Sequence, residues 1–118
     1  MKITNFQDSE LWQKAHALTL EVYNIGKRFP AEEGENIVLM QRNAAVSMTS
    51  GITEAYKISD NVLKLHHFNL AEASLAKLRY LLLLSNDLGF IDPTKLLLNI
   101  EDIEKLMRSE IGVIIALI

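Results

Sequence analysis

The sequence contains no cysteine, so it can build neither a disulfide framework nor a thiolate metal site. Proline occurs only at 30 and 93 and glycine only five times, which leaves long stretches without helix breakers. Apolar runs such as Leu81 to Leu84 fall far below the roughly 18 residues that a membrane span requires, and no membrane partner is expected. The opening Met-Lys-Ile-Thr-Asn lacks the apolar core of a signal peptide, so the expected location is the cytoplasm. There is no basic tail. Twelve basic and fifteen acidic residues are spread along the chain for a net charge of −3, a balance that disfavours nucleic acid as the main partner. Also missing are a glycine-rich phosphate loop, a Ser-His-Asp arrangement and a metal motif. The three histidines, His16, His66 and His67, lie outside the Glu-x-x-His pairs that di-iron bundles use. No enzyme activity and no cofactor are expected.

What is present is apolar residues at helical spacing. The 118 residues suit a single domain, 1–118, able to bury roughly 65% of its unfolded surface. The mean hydropathy of +0.13 is high for a small soluble domain and predicts apolar surface set aside for another subunit. Four helices are predicted, at about 9–28, 32–57, 60–87 and 93–117. In the first, Leu11, Ala15, Leu18, Val22, Ile25 and Phe29 alternate spacings of four and three, the pattern of a bundle seam, after a cap at Asp8 or Ser9. Phe29-Pro30 ends it. The second is expected to start within Ala31 to Gly34, with Glu32, Glu33 and Glu35 at its positive end.

The third helix is assigned a seam of Val62, Leu65, Phe68 or Asn69, Ala73, Ala76, Tyr80 and Leu84, broadened by Leu70, Leu78 and Leu81 to Leu83. Gly89 is its left-handed cap, and Asp92-Pro93 opens the fourth helix. That helix shows Leu96, Ile100, Ile103, Met107, Ile111, Ile114 and Ile118 on one face. Its last eight residues are apolar all round, and their β-branching also suits a strand; helix is the reading adopted. Short connections make the fold class all-α, an antiparallel up-down-up-down four-helix bundle.

The middle of the second helix has little bulk. Ala44, Ser47, Met48, Gly51 and Ala55 recur at helical spacing on a face expected to let another backbone come close, and Gly51 costs about 1 kcal/mol relative to alanine unless close contact offsets it. Pairing helices two and three across 57–60 sets Ser47 opposite Ala71, Ala44 opposite Ser74, Gly51 near His67 and Glu54 near Lys64. Glu54 is therefore expected to be a partly buried structural acid held by Lys64 or His67, with Ser47 and Ser74 as further structural polar positions.

Phe6-Gln7-Asp8, Leu11-Trp12-Gln13-Lys14-Ala15, Tyr23, Phe29-Pro30, Glu33, Ala44-Ala45-Val46-Ser47, Ile52, Glu54, Ala71, Ser74-Leu75 and Asp87-Leu88-Gly89-Phe90-Ile91 resemble the bacterial four-helix-bundle proteins encoded in intervening sequences of 23S rRNA genes. The resemblance implies a bundle that assembles as a ring, commonly a homopentamer. It also points to a relative that serves diversity-generating retroelements as a basic partner of reverse transcriptase and RNA. Where the family pattern has Gln, Arg, Asn and a Gly after Glu, this chain has Met40, Asn43, Gly51 and Ala55, a departure that weakens any RNA contact made there.

Trp12 and Tyr23 could stack on single-stranded nucleic acid, with Lys14, Lys27, Arg28, Arg42, Lys77 and Arg79 as candidate phosphate contacts. Aromatic packing and separate solvated charges explain them more simply. The expected function is a non-catalytic homo-oligomeric interaction module whose main partner is itself; the alternative is an accessory of RNA or reverse transcriptase, and an enzyme or metal protein is the least favoured class.

Overall fold

The computed structural model describes residues 5–118, and among them the fold is all-α. A short 3-10 turn at Phe6–Asp8 leads into α1 (Glu10–Gly26), followed by α2 (Glu35–Lys57), α3 (Asn61–Asp87) and α4 (Thr94–Leu117). Each helix packs on the next and α1 also packs on α4, so α1 and α3 occupy opposite corners of a square. Cross-helix pairs fix the directions. Ser9 meets Tyr56 while Thr19 meets Thr49, Gly51 meets Ala71 while Gln41 meets Ser85, and Glu21 meets Lys95 and Asn99. In the α1–α2 and α2–α3 pairs one number rises as the other falls, which is the antiparallel arrangement expected of short connections. The body is 47 Å long and 21 by 20 Å across, two helix diameters each way.

The helix ends follow local chemistry. The Ser9 hydroxyl accepts from the backbone N–H of Trp12, and Asp60 accepts from that of Leu63, each satisfying an otherwise unpaired donor. Gly89 adopts a φ of +76° after α3, with Gly89 N–H bonded to Asn86 C=O and Phe90 N–H to Ser85 C=O, a Schellman ending. Asp92 accepts from both the backbone N–H and the hydroxyl of Thr94. Those two bonds favour its ionised form and lower its pKa.

Two expectations about the helices need correction. Residues 31–33 form a turn, and α2 begins only at Glu35. Gly34 is wedged there, with a Cβ at that position lying 2.9 Å from the Phe29 Cβ and 3.0 Å from the Pro30 carbonyl oxygen, so its role is close approach.

The larger correction concerns α3. Its buried stripe is Phe68, Ala71, Leu75, Leu78, Leu82 and Ser85, with Leu81 beside it, whereas Val62, Ala73, Ala76 and Tyr80 of the expected seam face outward. This helix is apolar on opposite sides, so periodicity alone could not choose which side meets the core. The remaining seams lie where expected: Leu11, Ala15, Leu18 and Val22 of α1, and Leu96, Ile100, Ile103, Met107 and Ile114 of α4, close on Ala44, Ala45, Met48, Ile52 and Ala55 of α2. The C-terminal segment is helical to Leu117, but past Ile111 only Ile114 is buried; Val113, Ile115, Leu117 and Ile118 are exposed.

Candidate interaction surface

Hydroxyl groups join α1 to α2. The Ser9 hydroxyl and Tyr56 phenol lie 2.8 Å apart, and the Trp12 indole N–H donates to the Thr53 hydroxyl at 2.9 Å. Thr53 in turn donates to the carbonyl of Thr49, whose hydroxyl is 2.9 Å from that of Thr19. Hydroxyl side chains are short, and the two helices leave a groove of about 400 Å³ above this row. It is walled by Trp12, His16 and Val46, with Ser50 and Glu54 along one edge. Burial pushes the Tyr56 phenol up to about 12; its bond to Ser9 acts the other way, and the charge of Glu110 adds to the rise.

On the neighbouring face, α2 meets α3 through small residues. A Cβ on Gly51 would stand 3.1 Å from the Ala71 methyl and 3.5 Å from the His67 carbonyl oxygen, so Gly51 lies near His67 as expected, but Ala71 faces Gly51 and not Ser47, a slide of about one helical turn from the expected register. Glu54 pairs with His67 Nδ1 at 3.2 Å. Its side chain is 59% exposed, in place of the expected partial burial, and its partner is His67, not Lys64. The cause is rotation. Glu54 projects from the outer edge of α2, three residues beyond the contact point at Gly51, and water reaches it. Ser47 is exposed, while Ser74 and Lys64 are half-buried.

The buried polar pair of this interface was missed from sequence. Gln41 is fully buried and donates to the Ser85 hydroxyl at 2.7 Å and the Leu81 carbonyl at 3.3 Å, while its own Oε1 has no protein partner. The available signal was position: Gln41 precedes Ala44, Met48, Ile52 and Ala55 at helical spacing on the buried stripe.

The six candidate basic residues do not gather on one face. Lys14 lies 3.6 Å from Glu10, and Arg79 is ion-paired with Glu104 on α4. Arg42 donates to the Tyr23 carbonyl at 2.9 Å and lies over the Tyr23 ring, 4.8 Å from its centre. Lys27 and Arg28 sit exposed at the end of α1, and Lys77 is exposed on α3. Trp12 is half-buried and stacked on His16 at 4.9 Å, so its ring faces are partly occupied within the chain. His66 and His67 meet edge to face at 5.8 Å. Among the described residues no three His, Asp or Glu side chains cluster as metal ligands would, and no helix is long and apolar enough to cross a membrane.

A family model, that of the 23S rRNA-intervening sequence protein, matches residues 7–111 of this four-helix chain. The chain belongs to this family. A comparison with curated proteins finds no match. The family region runs from the 3-10 turn to Ile111 and so takes in all four helices, leaving only the last turns of α4 beyond it. Within it, the positions that depart from the family pattern have different surroundings: Met40 and Asn43 are exposed, Gly51 contacts α3, and Ala55 is fully buried.

Proposed function

We propose that this member of the 23S rRNA-intervening sequence protein family is a non-catalytic, homo-oligomeric interaction module working in the cytoplasm, with the ring of five copies that the family resemblance implies. The observation that carries the reading is apolar surface. Leu20, Leu39, Leu70, Tyr80, Leu98 and the end of α4 are each more than half exposed in the single chain, on every helix of the bundle. Monomeric proteins rarely expose contiguous apolar surface beyond a few hundred Å². A subunit that covers such faces with copies of itself removes them from water. The sequence offers no Ser-His-Asp arrangement, phosphate loop or metal motif, and an enzyme is the less favoured class.

RNA remains a weaker contact under this reading. Tight electrostatic binding needs several phosphates neutralised together, and half of the candidate cations are already engaged within the chain. Light scattering on the purified chain at micromolar concentration tests the proposal. A mass several times 13.3 kDa is expected, and a single 13.3 kDa species overturns it.

A further inference from the structure

α3 carries a second stripe that the bundle does not use. From Val62 through Asn69, Ala73, Ala76 and Tyr80 to Leu83 the spacing is 7, 4, 3, 4 and 3, the repeat of a helix that packs along its length against another helical surface. All six are exposed, Tyr80 by 60% and Val62 by 62%. Charge is nearly absent from this side. Between Leu65 and Asn86 the charged residues are Glu72, Lys77 and Arg79, of which Glu72 and Arg79 are half-buried and Lys77 alone is exposed. A standard interface buries ~800 Å² on each partner, over half of it non-polar, and the stripe's large apolar members Val62, Tyr80 and Leu83 expose 62%, 60% and 43% of their surface. Ala73 and Ala76 at its centre leave the backbone open to close approach.

The same chain offers a recess of matching character. The α1–α2 groove is walled by Trp12 and Val46, floored by threonine hydroxyls already paired with one another, and edged by the acid Glu54. It lies on another side of the square from the outer stripe of α3, because α1 and α3 sit at opposite corners. Resting on the self-association proposed above, we infer that the outer stripe of α3 seats in the α1–α2 groove of a second copy. The stripe's one exposed charge, Lys77, then approaches the acidic edge at Glu54. Such a contact joins two different patches, so a pair formed this way still has one free stripe and one free groove, and further copies add head to tail, closing a ring where the rotation between neighbours allows it.

Two exposed substitutions test it. Tyr80→Glu spoils the stripe and leaves the groove; Ser50→Trp fills the groove and leaves the stripe. Sedimentation velocity is expected to find wild type as an oligomer, each variant alone as a folded monomer by circular dichroism, and an equimolar mixture as a one-to-one dimer, because one good stripe and one good groove remain. Leu83→Glu and Val46→Glu repeat the experiment should either first variant fail to fold. Variants that both keep the wild-type mass overturn the assignment of these surfaces while leaving self-association intact. If Ser50→Trp alone still dimerises and Tyr80→Glu does not, the stripe meets itself and the groove is not its seat. A monomeric wild type removes self-association and this contact together.

Discussion

Gly51 lies so close to Ala71 that a methyl group at 51 would stand 3.1 Å from the Ala71 methyl. Both atoms belong to helix backbones or their first carbons, so neither can rotate away. Gly51→Ala gains about 1 kcal/mol of helix propensity and loses about 1–3 kcal/mol to overpacking. A net loss of about 1 kcal/mol in a urea melt is expected, and Gly51→Ala combined with Ala71→Gly is expected to recover part of it. Stability above wild type in the single variant would mean that α2 and α3 separate easily.

Gln41 and Ser85 form the buried polar bridge between the same helices. Gln41→Leu removes the unpaired Oε1 while Ser85 keeps its own bond to the Leu81 carbonyl at 2.8 Å, so stability is expected to hold or rise. Ser85→Ala leaves the Gln41 amide with only the longer bond to Leu81 and is expected to cost about 1–2 kcal/mol. The two variants together, read as a double-mutant cycle by denaturant melts, isolate the coupling.

Tyr56 gives the fold an alkaline limit. Its folded pKa, raised by burial to about 12 from 10.0, means that the unfolded chain loses this proton first. Its contribution is fully present below pH 10 and is lost as the pH rises toward about 12. Tyr56→Phe is expected to flatten this part of the stability profile and, at neutral pH, to cost about 1 kcal/mol for the lost bond to Ser9. Chemical melts at pH 8 and at intervals above pH 10 check both effects.

Glu54→Ala separates a surface acid from a frame acid. Its carboxylate is 59% exposed and pairs with a single histidine, so the loss is expected to stay below about 1 kcal/mol. A cost of several kcal/mol in a denaturant melt would show that Glu54 is held far more tightly than its exposure allows.

Much of this fold was legible in the sequence where a helix has one apolar side. For α1 and α4 the four-three spacing named most of the buried residues, and Gly89 and Ser9 marked ends that rest on local chemistry alone. α3 was different because two heptad stripes share one helix, and only packing decides which faces the core. The site was less legible. Counting back from the turn set Ser47 opposite Ala71 and Glu54 near Lys64, but the helices pair Gly51 with Ala71 and Glu54 with His67, about one helical turn away, because counting does not fix how far one helix slides along the other. The row from Ser9 and Tyr56 to Thr19 and Thr49 needed the α1–α2 register, which the longer connection at 27–34 does not set by counting.

Self-association is the central claim, and native mass spectrometry of the purified chain tests it most directly. The expected spectrum is dominated by one assembly containing several copies of the 13.3 kDa chain, five by the family resemblance, and persisting as the protein is diluted through the micromolar range. A spectrum containing only the single chain throughout that range would contradict it.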